Sequence, residues 1–267
     1  GWVQLSLDGG KTWKNVTPRG IGDFARISII DASRFNEGTA YLAANRFQLD
    51  DFTPSLWKTT DYGANWTKIV NGIASDEFTR VIREDPERRG LLYAGTERGV
   101  WVSFNDGAQW QKLQRNLPPV PVHDLVVKEG DLVAGTHGRS FWVLDDLSAL
   151  RQMSTTVLAK PAHLYSPRDA YRIDWGGGFG GGGRGGADST VTTRPGQNPT
   201  SGVVVHYQLA AADQIAIAVE IPQRQAVRIG FQRGQRMDIA QAEDIAVGDH
   251  AHIAHCGHVA SGKHTVN

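Results

Sequence analysis

The sequence predicts an all-β fold: a partial β-propeller of about three four-stranded blades, then a Gly-rich linker, then an incomplete or disordered β-type C-terminal segment. Three observations predict it. The spacing S-x-D-x-G-x-T-W of Ser6, Asp8, Gly10, Thr12 and Trp13 returns as Thr59, Asp61, Gly63, Asn65 and Trp66, and more loosely as Ser103, Asn105, Gly107, Gln109 and Trp110. Successive third positions lie 53 and 44 residues apart, the period of a four-stranded unit with a variable insertion. Trp57, Trp101 and Trp142 each stand four places before Asp61, Asn105 and Asp146, so the register persists where the last box has decayed to Asp145-Asp146-Leu147. A β-sandwich is the alternative, because its short strands also recur at regular intervals.

Each box lies between two apolar runs and reads as a hairpin tip. Its third-position carboxylate or amide accepts N–H bonds across the turn, and its glycine supplies a positive φ. Its tryptophan starts the next strand and buries a ring between neighbouring sheets. Ser6, Asp8, Gly10, Trp13, Thr59, Asp61, Gly63, Trp66, Ser103, Asn105, Gly107 and Trp110 are therefore structural. A calcium loop is rejected, since the later ligands and the bidentate glutamate of an EF-hand are lacking.

In chain order, the first full unit has strands at Arg26 to Ile30, Thr39 to Ala44, Ser55 to Thr59 and Asn65 to Val70. The second has Thr79 to Arg83, Leu91 to Gly95, Gly99 to Ser103 and Gln109 to Leu113. The third has His123 to Val127, Asp131 to Gly135 and Ser140 to Leu144. Residues 1–152 are thus the blades and 153–175 a connector, in which His163 to Tyr165 adds a strand. Residues 176–200 are a flexible linker, with nine glycines among the eleven residues from Gly176 to Gly186. It is no phosphate loop, for no G-K-[ST] follows. Residues 201–267 open a second β domain with Gly202 to Leu209 and a partner at Gln214 to Ile221, then lose all periodicity. A tail like that is either disordered or the product of a reading-frame error.

Charge is balanced, 28 basic against 28 acidic residues, with no basic stripe or polybasic block, so no nucleic-acid or anionic-membrane partner is expected. No apolar run is long enough to span a bilayer. Cys256 is the only cysteine, which excludes an intrachain disulfide. His250, His252, His255, Cys256, His258 and His264 crowd the tail in a manner suited to zinc or nickel, but no strand or helix signal fixes them. No metal and no cofactor are expected.

The motifs Leu49-Asp50-Asp51-Phe52-Thr53-Pro54, Glu84-Asp85-Pro86, Gly90-Leu91-Leu92-Tyr93-Ala94-Gly95-Thr96-Glu97 and Gly135-Thr136-His137-Gly138-Arg139-Ser140-Phe141-Trp142 resemble the sortilin-like, Asp-box (bacterial neuraminidase repeat) propellers. Those proteins are often labelled glycosyl hydrolases. The resemblance covers about residues 1–209. It implies a secreted or periplasmic, many-bladed propeller followed by a small β domain, of which this chain is the last few blades. The start at Gly1, a few residues before a box, leads to the same expectation. An open arc of blades exposes strand edges, so self-association is expected.

Successive hairpins turn at alternate ends of a blade, which puts the boxes opposite the loops joining the second and third strands. Those loops contain Asp50, Asp51, Glu97, His137 and Arg139. Arg26, Arg80 and His123 begin the innermost strands at the same end. The expected ligand-binding set is Arg26, Arg80, Asp51, Glu97, His137 and Arg139, with catalytic residues unknown. Arginines there suit a carboxylate of a peptide end or an acidic sugar; the plainer reading pairs them with Asp23 and Glu77 to tie blades together. His137 is either a proton carrier or a backbone-bonded turn residue. Glycoside hydrolysis needs one protonated and one ionised carboxylate across a cleft, and the sialidase set of a Tyr-Glu pair with three arginines cannot be assembled. The expected function is a non-catalytic binding propeller for peptide or glycan. The alternative is a glycoside hydrolase of sialidase-like or endoglucanase-like type, and a further possibility is that these blades only support others.

Overall fold

The computed structural model describes residues 1–169, 203–209, 216–219, 227–231, 236–237 and 252–255. The chain divides into two compact units, Gly1–Ser154 and Thr155–Asn267.

Unit one begins with a two-stranded sheet, β1 (Gln4–Leu5) and β2 (Lys14–Asn15). Sheet one follows as β3 (Arg26–Ala32), β4 (Ala40–Arg46), β5 (Asp51–Thr59) and β6 (Thr67–Lys68). Sheet two comprises β7 (Thr79–Glu84), β8 (Leu92–Thr96), β9 (Val100–Ser103) and β10 (Gln111–Lys112). Sheet three has β11 (Val122–Lys128), β12 (Asp131–Thr136) and β13 (Phe141–Leu144). Every pairing is antiparallel between strands adjacent in sequence.

Sheets one and two each lie between two others, which is why their middle strands, β4 and β8, are buried along nearly their whole length rather than on alternate residues. In β8 all five residues are buried. Leu92 and Ala94 join Trp101 and Ile82 against Tyr41, Ala43 and Leu56 of sheet one. Tyr93, Val81 and Val102 point the other way, against Leu125, Leu132 and Ala134 of sheet three. A third cluster joins Val3 and Val16 to Leu42, Ala44 and Trp57. A sandwich has one core between two sheets; successive cores separated by whole sheets make this a partial β-propeller.

The innermost strands are cross-tied. Arg83 of β7 donates to Asp31 of β3 at 3.3 Å and to Asp124 and the Leu125 carbonyl of β11 at 3.0 and 2.9 Å. Below sheet two, fully buried Asp85 accepts from the N–H groups of Glu87 and Arg88, from Tyr93 Oη and from Arg151 Nε. Burial and that carboxylate push the Tyr93 phenol upward.

The outer strands are shorter than expected. Of the run Gln109 to Leu113 only Gln111–Lys112 is strand, with Leu113 N adding a bond to Val100 O at 2.8 Å; at its start the Trp110 N–H turns to the preceding unit and bonds Asn71 O at 2.8 Å. Sheet three lacks a fourth strand among the described residues; the chain instead enters a short helix, α1 (Ser148–Gln152), that the apolar pattern did not predict. Arg151 on that helix bonds Asp85 at 3.0 Å and so ties the helix to sheet two. On the far side of sheet three Val126, Val133 and Val143 stand in one cross-strand row, with Val126 and Val143 about half exposed and Phe141 78% exposed.

Unit two contains α2 (Thr155–Leu158), β14 (Ala162–Leu164) and β15 (Val203–Leu209), with β16 (Ala216–Val219), β17 (Val227–Phe231), β18 (Arg236–Met237) and β19 (His252–His255). The order β14-β15-β17-β18 forms one sheet, with β15 and β17 parallel, and β16 pairs with β19. Tyr165 anchors the first sheet: its N–H bonds His206 O at 2.9 Å and its buried phenol donates to Gln208 Oε1 at 2.9 Å. The Gly-rich linker, and the tail residues His250, Cys256, His258 and His264, lie outside the described residues. Among the described residues no helix is long and apolar enough to cross a membrane.

Candidate functional site

The box turns share one hydrogen-bond pattern. Ser6 Oγ, Thr59 Oγ1 and Ser103 Oγ donate to the third-position oxygen at 2.8, 2.8 and 3.0 Å and accept the N–H of Gly10, Gly63 and Gly107. That same oxygen of Asp8, Asp61 and Asn105 accepts the seventh-position N–H of Thr12, Asn65 and Gln109 at 2.9, 2.8 and 2.9 Å. Two successive left-handed residues bend the chain, Tyr62 and Gly63 in one copy and Asp106 and Gly107 in the next. The ring of Trp66 donates to Val16 O at 2.7 Å and that of Trp110 to Ile69 O at 2.8 Å, so each clips its sheet to the one before. Trp13 departs from the expectation of burial. It is 64% exposed and donates to Gly10 O of its own turn.

The turns bond the nearby hairpin of their own sheet, Tyr62 N to Gly38 O and Asp106 N to Gly90 O. That hairpin joins the first and second strands, so the loops joining the second and third strands occupy the other end. There Arg80 Nε and Nη2 both donate to Glu97 Oε2, at 2.9 and 2.6 Å. The guanidinium lies 4.8 Å from the Phe78 ring centre and 5.4 Å from that of Phe47; those two rings stack at 4.9 Å, and Phe52 tilts against Phe78 at 6.1 Å. Arg80 does not pair with Glu77, as the plainer reading had it. Glu77 is buried and accepts from Thr96 Oγ1 and from Trp101 Nε1.

Arg26 and Asp51 are held differently. Arg26 is exposed, and no described carboxylate bonds it, Asp23 included. Beside it Phe24 holds a left-handed φ of 58° with 89% of its surface exposed. A ring displayed on a conformation unfavourable to aromatic residues is the kind of strain found at binding surfaces. Asp51 accepts from Thr53 Oγ1 at 2.6 Å and from Arg46 Nη1 at 3.2 Å. The Thr53 hydroxyl first, then the Thr53 N–H, holds its carboxyl below the ordinary range.

Sheet three contributes a histidine pair. The rings of His123 and His137 meet edge to face at 4.9 Å, and His137 N donates to Pro121 O at 2.9 Å. Partial loss of water lowers the affinity of His123 for a proton first, followed by the charges of Arg80, His137 and Arg26, with Glu97 opposing. Arg139 is exposed, and its carbonyl accepts the Trp142 indole N–H at 2.9 Å.

Of the residues expected to bind ligand, the structure joins Arg80 to Glu97, places Arg26, Arg80 and Glu97 within electrostatic range of His123, and ties Asp51 to Arg46 instead. Sequence reasoning passed over Phe47, Phe52 and Phe78. The repeated Asp-Phe-Ala-Arg and Glu-Phe-Thr-Arg openings of β3 and β7 were the available signal for the last. As an assembly, the end offers an open guanidinium, a histidine pair and aromatic faces, a set suited to holding an anion. Among the described residues no three histidine, cysteine or carboxylate side chains stand close enough to hold a metal ion.

No protein-family model matches the chain, and no curated protein matches it. Solved structures of similar backbone include YCF48 bound to D1 peptide, at 19% identity and a TM-score of 0.42, covering 54% of this chain and 45% of that one. The GH74 xyloglucanase from Xanthomonas campestris is 21% identical at a TM-score of 0.41, over 54% of this chain and 24% of the enzyme. YCF48 from Cyanidioschyzon merolae is 17% identical at 0.39, over 54% and 46%. The chain thus spans less than half the length of each, and at these identities nothing about ligand or chemistry carries over.

Proposed function

We propose that unit one is a non-catalytic, extracytoplasmic binding propeller of the sortilin-like Asp-box type, recognising a peptide or glycan at the end opposite its boxes. Arg26, His137 and Arg139 make the contacts, with Phe24 and Phe52 as apolar platforms. Arg80 and Glu97 act as the rigid floor. The observation that carries this reading is the contrast between the two arginines: Arg80 is fully engaged by Glu97 and two rings, whereas Arg26 is open to solvent. A glycan is favoured over a peptide, because strand ends present side chains and not the free strand edge by which sheets capture extended chains.

Hydrolysis is the weaker reading. Asp51 is held ionised by Thr53 and Arg46, and Glu97 is bonded to Arg80, so neither resembles a protonated acid facing an ionised partner. Glycan and peptide arrays probed with the chain and with Arg26→Ala test the proposal. Binding to acidic glycans that Arg26→Ala abolishes supports it. Turnover of aryl glycosides or polysaccharides that Asp51→Asn or Glu97→Gln abolishes overturns it, and binding confined to free-acid peptides overturns the preference for glycans.

A further inference from the structure

We propose that His123, His137 and Arg26 form a carboxylate site whose charge is completed by protons taken up on the two imidazoles, so that an acidic glycan is held in mildly acidic surroundings and released in neutral ones. The proposal rests on the binding reading above and adds its ligand chemistry and its control.

The geometry points to it in three ways. The two rings touch edge to face at 4.9 Å on neighbouring strand ends, β11 and the loop after β12, where both keep access to solvent. The charged groups of the neighbouring sheets that act on His123 are Arg26 of sheet one and Arg80 with Glu97 of sheet two. Glu97 is the one acid among them, and it already accepts two bonds from Arg80, leaving the histidines no carboxylate partner of their own in the cluster. A proton on His123 therefore enters surroundings in which Arg80 and Arg26 oppose it and Glu97 alone favours it. It is resisted until an anion arrives to share it.

Linkage fixes the sign. An anion that binds the protonated pair raises the proton affinity of the rings, and by reciprocity protons raise the affinity for the anion. The ordinary histidine value is about 6.5, and His123 lies below it. At neutral pH the fixed charges of Arg26 and Arg139, both exposed, attract the ligand. As pH falls, a proton on the pair adds its charge to theirs, and a second proton is resisted by the first because the rings touch. A uronate carboxylate stays ionised throughout this range, so the ligand does not contribute to the pH dependence.

The probe is tetragalacturonate, titrated calorimetrically at pH 5.0 and 7.5 against the full chain and His123→Gln/His137→Gln. The expected result is affinity about tenfold or more higher at pH 5.0, with proton uptake in buffers of differing ionisation enthalpy. Whatever its absolute affinity, the double variant should bind equally at pH 5.0 and 7.5, the increase being lost. Equal affinity at both pH values, or an increase that survives in the double variant, overturns the proposal while leaving the binding reading intact. Absence of binding at both pH values overturns the proposal, and the glycan and peptide arrays then decide the binding reading on their own. Histidine ring NMR gives a second measurement: tetragalacturonate must raise the titration midpoints of the two rings in the folded chain, and unmoved midpoints count against the site.

Discussion

Arg80 and Glu97 meet through two nitrogens and a single oxygen, the Nε and Nη2 of the arginine both donating to Oε2 at 2.9 and 2.6 Å. The stacked rings of Phe47 and Phe78 hold the guanidinium on its apolar side. Lysine supplies charge but neither the fork nor the flat face. Arg80→Lys is therefore expected to lose most of what Arg80→Ala loses, about 1–3 kcal/mol. Glu97→Gln, on a side chain about a third exposed, should cost about 1 kcal/mol or less. Urea unfolding of the three variants checks the order.

The three box tryptophans make a graded series. Trp110 is buried and bonded to Ile69 O, and Trp110→Ala should cost about 3–5 kcal/mol. Trp66→Ala should cost less, since its ring is only half-buried at the next joint. Trp13→Ala should change stability by less than about 0.5 kcal/mol, as its ring reaches no neighbouring sheet. Equal losses for Trp13 and Trp110 would mean that the clip is not what these residues provide.

A pair of glycines separates backbone strain from steric clash. Gly138 has φ 87° with open space around it, so Gly138→Ala should cost about 1 kcal/mol from conformation alone. Gly107 has nearly the same φ, 85°, but an added methyl would lie 2.6 Å from Ile69 Cδ1 across the joint. Overpacking there adds about 1–3 kcal/mol. Thermal melts of the two alanine variants should differ accordingly.

Asp8 sets the acid limit of the first turn. The Thr12 N–H, then the Thr12 and Ser6 hydroxyls, lower its carboxyl to about 2. A depressed folded value stabilises above the unfolded value, about 3.9, and that contribution disappears as pH falls toward about 2. Carboxyl-carbon NMR should show Asp8 titrating near 2, with Asp61 also below the ordinary range for the same reason at Asn65. Thr12→Val should move the Asp8 midpoint upward.

Period and turn were legible because Asp8, Asp61 and Asn105 act locally: their partners lie within four residues, and the spacing is the hydrogen-bond pattern written out. The ends of strands were less legible. Gln109 stays out of its ladder because its N–H bonds Asn105 Oδ1 in the turn and the next N–H, of Trp110, bonds Asn71 O far back in the chain. The site was half legible. Arg80 and Glu97 were both picked out, but the partner of Arg80 depended on whether Glu77 found donors elsewhere, and it found Thr96 and Trp101. The matching openings at Phe24 and Phe78 conceal opposite fates. Phe78 meets Phe47 on the sheet before it, and Phe24 meets solvent.

Arg83 bonds outward from the middle sheet to Asp31 on one side and to Asp124 on the other. Stacked repeats often peel from their ends, each layer loosening at its own free-energy cost. A single fork that grips both neighbours makes that route unfavourable, since freeing either flank unsatisfies the centre. The three sheets should consequently open together, with amide exchange in β3, β7 and β11 sharing one protection factor rather than a gradient.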